Sequence, residues 1–276
     1  MRNSFYNANY RTRTISITSG KGGVGKTTVV ANLAYSLGAR GKSVLIFDGD
    51  LGMANVDIMF GIRAQKSLQN VLNRECDLKD ILVEVAPKVW LIPGGSGVRD
   101  FQNMSSFERR ALLDAVATLN TTFDYMLIDT APGITDNVLY LNSAAQTTCV
   151  VITPDPASFA DSYALIKVLN QEYQETRFSI LSNQVKDETE GLSLFKKFNE
   201  IAGKFLYIGL DYAGSIPNDP NLRKAVQGQR LIVKQEPNSI SSLALQSISS
   251  NLEGSSKTGE VKGGLQFFWE QLVGVA

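Results

Sequence analysis

The segment that decides the fold is Gly20-Lys21-Gly22-Gly23-Val24-Gly25-Lys26-Thr27. It matches the pattern G-x-x-x-x-G-K-T over its whole length. A strand pattern from Thr14 to Thr18 precedes it, and helical periodicity from Thr27 to Ala39 follows it. Glycines let such a loop curl until successive N–H groups point to one place, and the helix start adds its positive dipole end. A chance match in a glycine-rich turn is the alternative, but the strand, loop and helix together favour a phosphate-binding loop.

Side chains of this loop indicate the ligand. Lys26 supplies a point charge for the β- and γ-phosphates, and the Thr27 hydroxyl is the expected ligand of Mg²⁺. Thr28 is predicted to support the α-phosphate. The sequence therefore predicts a site for ATP or ADP with Mg²⁺, built on the backbone of residues 20–28.

Further along the chain, continuous apolar runs alternate with helical patterns. Beyond the first strand and helix, the runs predict strands at 43–47, 88–92, 124–128, 148–152, 178–181 and 205–208. Amphipathic helices are expected at 106–119, at 158–171 and between the last two strands. Such alternation predicts a doubly wound α/β fold, with a predominantly parallel sheet covered on both faces. Ligands of this fold bind at the carboxyl ends of the strands.

Three aspartates stand at such strand ends. Asp48 and Asp50 follow one strand and Asp129 follows another. An aspartate in this place holds a water of Mg²⁺, and Asp129 fits this role best. Asp50 is the candidate that positions the attacking water, because no histidine and no nearby glutamate competes. The alternative is that these carboxylates cap a helix or a turn.

Composition excludes several classes of function. The 276 residues contain no histidine, so Ser-His and Cys-His mechanisms and histidine metal sites are excluded. The formal net charge is zero, which argues against a dedicated nucleic-acid binder. Cys76 and Cys149 match no metal spacing and are expected to be small apolar side chains in a reducing cytosol. Residues 1–10 do not resemble a signal peptide, and no run of about 18 apolar residues predicts a membrane span.

The organisation along the chain is predicted in four parts: an N-terminal extension (1–12), the nucleotide-binding domain (13–252), a flexible linker (253–264) and a C-terminal helix (265–276). The apolar face of that helix consists of Leu265, Phe268, Trp269, Leu272 and Val273. An amphipathic helix with Trp and Phe after a linker suits an interfacial membrane anchor, although it lacks Lys and Arg. The alternative is that it docks in a groove of its own domain.

The loop motif Lys-Gly-Gly-x-Gly-Lys-Thr resembles the deviant Walker A motif of the MinD/ParA ATPase family. The resemblance implies that Lys21 reaches the nucleotide of a second subunit across a dimer interface. Residues 47–57 look like the switch I segment of that family, which places Asp48 near the metal and gives Asp50 the hydrolytic water. Residues 129–133 resemble Walker B and switch II. By the same resemblance Asn183 and Pro217 hold the adenine, with ordinary strand-end turns as the alternative.

Within that family, residues 51–57, 216–226 and 237–239 look like the flagellar number regulators named FlhG, FleN or YlxH. This implies a homodimer in the ATP state, slow hydrolysis that depends on the dimer, and membrane binding through the C-terminal helix. It also implies a cytoplasmic protein at the inner face of the membrane or the cell pole. The implied partners are the flagellar GTPase FlhF and basal-body or regulatory proteins. One departure is that residues 1–13 lack the Asp-Gln-Ala-x-x-Leu-Arg segment that stimulates FlhF in many members.

Three other functions remain open from the sequence. A cell-division MinD would use the same chemistry with another partner. A ParA-type DNA segregation ATPase would need a basic dimer surface, and the zero net charge and aromatic tail argue against specific nucleic-acid binding. A metabolic P-loop enzyme would show an ATPase rate that depends on a small substrate.

Overall fold

A computed structural model describes residues 12–95, 101, 104–119, 121–254 and 264–274. Residues 1–11 of the predicted extension and 255–263 of the predicted linker lie outside the described residues. The strands are β1 (Arg13–Thr18), β2 (Val44–Gly49), β3 (Val83–Ala86), β4 (Val89–Ile92), β5 (Tyr125–Thr130), β6 (Thr147–Ile152), β7 (Phe178–Val185) and β8 (Asp211–Pro217). The helices are α1 (Lys26–Ala39), α2 (Val56–Met59), α3 (Leu68–Leu72), α4 (Leu78–Ile81), α5 (Ser106–Ala117), α6 (Asp136–Ala144), α7 (Pro156–Tyr173), α8 (Glu188–Leu206), α9 (Pro220–Gln227), α10 (Ile232–Gln235), α11 (Ile240–Gly254) and α12 (Leu265–Leu272).

These strands form one sheet in the order β3-β4-β2-β5-β1-β6-β7-β8. All neighbours are parallel except β3, which pairs with β4 in antiparallel fashion. The register places Asp48 beside Asp129 and Ile17 beside Asp129 on the two sides of β5. The carboxyl ends of the central strands therefore meet at one edge, and the predicted doubly wound fold is confirmed.

Helices cover both faces of the sheet, because the strand side chains on both faces are apolar. One layer contains α1, α9, α10 and α11, which bury the face that carries Ile15, Ile17 and Val44. The other contains α5, α6, α7, α8 and α12. Buried apolar area of this extent is the main stabilising term of such a domain.

The C-terminal helix α12 is part of the second layer. It packs against α5 and α6, and its residues Leu265, Phe268 and Trp269 are fully buried. The structure thus shows the docked arrangement that the sequence left as an alternative to membrane binding. No helix in the described part of the chain has both the length and the apolar content to cross a bilayer.

One predicted element is wrong. Residues 205–208 were expected to form a strand, but Phe205 and Leu206 are the last turn of α8 and Tyr207 ends it with a φ of 59°. The helix continues this far because Phe198, Ala202 and Leu206 form one buried stripe at helical spacing. Tyr207 is 89% exposed, which a residue of a covered parallel strand would not be. The strand begins four residues later, at Asp211.

Candidate nucleotide-binding site

The phosphate-binding loop connects β1 to α1, as predicted. Gly23 and Gly25 have φ angles of 79° and 93°, a region that disfavours any residue with a Cβ atom. A Cβ on Gly25 would also lie 2.6 Å from Nδ2 of Asn183. The glycines therefore serve both the curl of the loop and its close approach to β7.

The base of the loop rests on the start of α7. A Cβ on Gly20 would lie 2.1 Å from the backbone carbon of Asp161, so only glycine fits there. The Gly20 N–H donates to the Ser162 hydroxyl at 3.4 Å. On the other side, the Gly133 N–H donates to the Ser19 carbonyl at 2.9 Å, which ties the segment after β5 to the loop.

Lys26 lies inside this cradle and is 7% exposed. Its Nζ donates to the Ser19 hydroxyl at 2.9 Å, and that hydroxyl donates to the Lys21 carbonyl at 2.7 Å. Burial lowers the pKa of Lys26, while the charges of Asp129 and Asp50 act in the opposite direction. A buried ammonium held by neutral groups and facing two carboxylates is well placed to meet phosphate oxygens.

Thr27 and Asp129 form the expected metal pair. The Thr27 hydroxyl donates to Asp129 Oδ2 at 2.6 Å. Asp129 Oδ1 is buried and has no hydrogen-bond partner among the described residues. Burial raises the pKa of Asp129 to about 7, although the hydrogen bond from Thr27 and the charge of Lys26 both act to lower it.

This donor set fits Mg²⁺. The ion prefers oxygen ligands, retains several waters and is held by one or two carboxylates together with the substrate phosphates. The unpartnered Asp129 oxygen and the Thr27 hydroxyl are the groups that would supply the protein's ligands, and this assignment stays a prediction. The described residues contain no group of three or more His, Cys, Asp or Glu side chains that could form a closed metal cage.

Asp48 holds the backbone of the next segment. Its carboxylate accepts N–H hydrogen bonds from Asp50 (3.2 Å), Asn55 (3.0 Å) and Val56 (3.1 Å). Burial, followed by the charge of Asp129, raises the pKa of Asp48 to about 8. The structure therefore shows a cap at the start of α2, the alternative that the sequence left open. A direct role of Asp48 at the metal stays a prediction.

Asp50 lies half-buried at the mouth of the cradle. Its Oδ1 accepts the Met53 N–H at 3.1 Å, and its charge acts on both Lys26 and Asp129. Met53 is 69% exposed, so this turn faces solvent. Asp50 thus lies close enough to Lys26 and Asp129 for its charge to act on both, and its role with the attacking water stays a prediction.

The Lys21 side chain binds a residue of its own subunit in this structure. Its Nζ forms an ion pair with Asp155, which also caps α7 by accepting the Ala157 N–H at 3.0 Å. The Lys21 contact and the cap lower the pKa of Asp155. Sequence reasoning missed Asp155, although its place after β6 and before Pro156 is typical of a helix N-cap at a strand's carboxyl end.

Asn183 braces the loop. Its Nδ2 donates to the Val24 carbonyl at 2.7 Å, and the side chain is buried. Pro217 ends the adjacent strand, where it is paired with Val185. Thr28 lies in the first turn of α1, and its carbonyl accepts from Asn32. Asn183 and Pro217 share the carboxyl edge with the loop, and their adenine contact stays a prediction.

Comparisons with known proteins agree with this geometry. Residues 12–181 match the family described as AAA domain. The chain is 38% identical to the antiactivator FleN of Pseudomonas aeruginosa, with 94% of this chain and 92% of that protein covered. It is 33% identical to the flagellum site-determining protein YlxH of Helicobacter pylori, with 98% and 92% covered.

A solved structure gives the same result for the fold. The MinD cell division protein of Aquifex aeolicus superimposes with a TM-score of 0.71 at 25% identity. The match covers 91% of this chain and all of that one. The fold described above is therefore shared over nearly the whole length of both chains.

Proposed function

Because the chain belongs to the MinD/ParA-type P-loop ATPases, and among them to the flagellar regulators FleN, YlxH and FlhG, we propose that it is an ATP-driven dimerisation switch that acts at the membrane. In this proposal the switch sets the number and placement of flagella. Two contacts within the subunit carry the proposal, one made by Lys21 and the other by α12. Both are held against their own subunit in this structure, Lys21 by Asp155 and α12 by the core.

Nucleotide binding rests on residues already in place. The loop backbone and Lys26 take the phosphates, while Thr27 and the free Asp129 oxygen take the metal side. Bound Mg²⁺ would offset phosphate charge and orient the γ-phosphate. Asp50 positions the attacking water. Because removal of a positioned base costs roughly 10²–10⁴-fold in rate, Asp50 has the largest expected effect on hydrolysis.

The homodimer depends on Lys21. Its Asp155 contact is exposed, and exposed ion pairs contribute little to stability because solvent screens them. A second subunit that presents nucleotide phosphates could therefore displace Asp155 at little cost. Two Lys21 side chains would then bridge the two nucleotides, and hydrolysis through Asp50 would separate the subunits slowly.

Membrane residence depends on α12. Its buried face would have to leave the domain before it could enter a lipid interface, and no Lys or Arg in the helix would assist. A single helix of eight residues offers marginal lipid affinity. Two helices in one dimer raise the avidity steeply. ATP, by favouring the dimer, would thus favour the membrane.

The resemblance to the flagellar regulators supports a proposal for the place of action and the partners. We expect a cytoplasmic protein that associates with the inner face of the membrane, including the cell pole. The flagellar GTPase FlhF and basal-body or regulatory proteins are the expected partners, with no specific nucleic acid. Activation of FlhF by residues 1–13 is not expected, because the Asp-Gln-Ala-x-x-Leu-Arg pattern is missing there.

Liposome sedimentation tests the proposal. The full chain is mixed with vesicles that contain anionic lipid, in the presence of ATP or ADP, and compared with a chain that lacks residues 265–276. We expect ATP to drive the full chain into the pellet and ADP to leave it in the supernatant. Because α12 is part of the core, the shortened chain is first centrifuged without vesicles, and ATP should add no lipid-bound fraction to whatever then stays in solution. Lipid-independent behaviour in every state would overturn the membrane switch. A deletion strain with altered septa and normal flagella would favour a MinD-type division role.

A further inference from the structure

The end of helix α8 presents two large aromatic side chains to solvent. Phe205 is 59% exposed and Tyr207 is 89% exposed, although Leu206 between them is buried in the core. Among the described residues, the other exposed aromatic side chain is Phe107, whose ring is covered by the Arg74 guanidinium at 3.8 Å. Within the part of the chain that the structure describes, the end of α8 is therefore an uncovered aromatic surface.

The backbone holds Tyr207 in this position at a cost. Tyr207 ends α8 with a φ of 59°, in the left-handed region where glycine or asparagine is the usual residue. A bulky side chain there loses free energy that glycine would keep. Its near-complete exposure provides no burial that would offset this loss. A residue that weakens the fold and adds no packing is best explained by a contact outside the subunit.

Positive charge accompanies the two rings. The Lys204 Nζ lies 5.3 Å from the centroid of the Phe205 ring, which is within the range of a cation–π contact. The exposed charged residues on the outer face of the second half of α8, and at the strand starts beside it, are Lys196, Lys197, Lys204, Arg177, Glu200 and Asp211. Positive charges therefore outnumber negative ones on this surface. Lys204, Phe205 and Tyr207 together are called the α8 end cluster.

The α8 end cluster lies at the same edge of the sheet as the attachment point of α12. Helix α8 leads into the start of β8, and α11 ends at the start of β1, where Arg13 donates to the Leu252 carbonyl at 2.6 Å. In the sheet β8 is three strands from β1, so the two strand starts are about 14 Å apart. Residues 255–263 connect α11 to α12 along the chain. A released α12 would thus stay attached close to the α8 end cluster.

We propose that the α8 end cluster is a second lipid contact, with Phe205 and Tyr207 at the level of the headgroups and Lys204 beside anionic phosphates. This inference rests on the proposed membrane switch. Aromatic side chains are enriched at membrane interfaces, and neighbouring cations are attracted to anionic headgroups. Helix α12 contains no Lys or Arg, so the cluster supplies the preference for anionic lipid that α12 lacks. Its position beside the attachment point of α12 favours lipid over a protein partner.

The second contact also sets the orientation on the membrane. The amino-terminal edge of the sheet faces the lipid, because the α8 end cluster and the end of α11 both lie there. The phosphate-binding loop lies at the carboxyl edge and faces the cytoplasm. A second subunit can then approach the nucleotide without a clash with the bilayer.

Sedimentation of the full chain with ATP tests the contact. Vesicles of phosphatidylcholine alone are compared with vesicles that also contain phosphatidylglycerol. We expect the Phe205→Ser, Tyr207→Ser double variant to lower the partition coefficient about fivefold on both. Lys204→Gln should lower it about fivefold on the anionic vesicles only. Lys186→Gln, which removes an exposed cation at the opposite end of α8, is the matched control and should bind like the parent chain.

Tyr207→Gly separates a lipid contact from a role in the fold. Because glycine tolerates the φ of 59°, this variant should bind lipid less and unfold at the parental temperature or above it. A lower melting temperature would show that Tyr207 serves the fold, and the inference would fail.

A fluorophore gives a direct readout of the cluster. An environment-sensitive dye is attached to Tyr207→Cys in a Cys76→Ser chain, where the remaining Cys149 is buried. We expect its emission to shift to the blue when ATP and anionic vesicles are both present. If the parent chain binds vesicles but the dye does not respond and the cluster variants bind equally well, the second contact is wrong and the proposed switch stands. If the parent chain binds no vesicle in any state, the switch and this contact fail together.

Discussion

The rings of Phe47 and Trp269 lie 5.0 Å apart between their centroids, at an interplanar angle of 59°. Phe47 is the residue before Asp48, whose carboxylate organises the segment that carries Asp50. The C-terminal helix therefore touches the strand that leads into the segment carrying Asp50. A change in that segment has a direct physical route to the docked helix.

Removal of the Trp269 ring should destabilise the nucleotide-free protein. Trp269 is fully buried in the core shared by α5, α6 and α12, and truncation of such a ring costs about 3 kcal/mol or more. We expect Trp269→Ala to lower the melting temperature by about 6 °C or more. Gln271→Ala on the same helix is the matched control and should shift it little, since Gln271 is only half-buried. Equal effects of both changes would mean that α12 does not dock in solution.

The glycines of the loop should differ in their tolerance of a side chain. Gly25→Ala meets both a φ of 93° and the Asn183 amide at 2.6 Å. Gly23→Ala meets a φ of 79° but no atom within 4 Å among the described residues. A positive φ costs a residue with a Cβ atom about 1–2 kcal/mol at either position, and only at Gly25 does the added Cβ atom also collide with a neighbour. In thermal unfolding without nucleotide, Gly25→Ala should have a lower melting temperature than Gly23→Ala. Adding Asn183→Ala to the Gly25→Ala chain should restore part of the lost melting temperature. A Gly25→Ala chain as stable as Gly23→Ala would contradict this.

Nucleotide selectivity separates two roles of Asn183. The structure shows its amide bound to the Val24 carbonyl, whereas the family resemblance assigns it to the adenine. If its main role is to support the loop, Asn183→Ala should weaken the binding of ATP and of GTP by similar factors, because both nucleotides depend on the loop. If it holds the adenine, ATP should lose more than GTP. Fluorescent-nucleotide competition gives both constants. Asn199→Ala, which removes the half-buried amide that accepts the Leu210 N–H at the far end of α8, is a control for general destabilisation.

The parts of the site that sequence could predict are those that are local along the chain. The loop from Gly20 to Thr27 carries its own strand, turn and helix signals, and Asp129 follows four apolar residues at a strand end. The Lys21–Asp155 and Asn183–Val24 contacts join residues 134 and 159 positions apart. Nothing in the sequence near either partner indicates the other.

The misplaced last strand has a different cause. β8 is an edge strand with the sequence Asp-Tyr-Ala-Gly-Ser-Ile-Pro, and most of it is only half-buried. Its small and polar residues give a weak strand signal, whereas Phe205 to Ile208 is more apolar. The docked position of α12 could not be chosen from sequence either, because an amphipathic face suits a lipid surface and a protein groove equally.

Release of Lys21 from Asp155 should favour the dimer. Asp155→Asn keeps an oxygen to cap α7 and removes the charge that holds Lys21. We expect this variant to dimerise at a lower ATP concentration than the parent chain, as measured by light scattering after size exclusion. Lys21→Ala should stay monomeric at every ATP concentration. A dimer of Lys21→Ala would remove Lys21 from the interface.

Asp50→Ala should bind ATP and stay in the ATP state. Asp50 is half-buried at the mouth, and its charge reaches Lys26 and Asp129 without a direct hydrogen bond to either. Removal of a group that positions water should lower the hydrolysis rate by about 10²-fold or more. Loss of one negative charge beside the phosphates should leave ATP affinity equal or higher. The dimer should then persist for the length of a size-exclusion run.

Asp48→Ala is the contrasting variant, because loss of its three N–H contacts should disorder the segment and weaken nucleotide binding itself. If Asp50→Ala hydrolyses ATP at the parental rate, the attacking water is held by another residue, and the assignment of Asp50 fails.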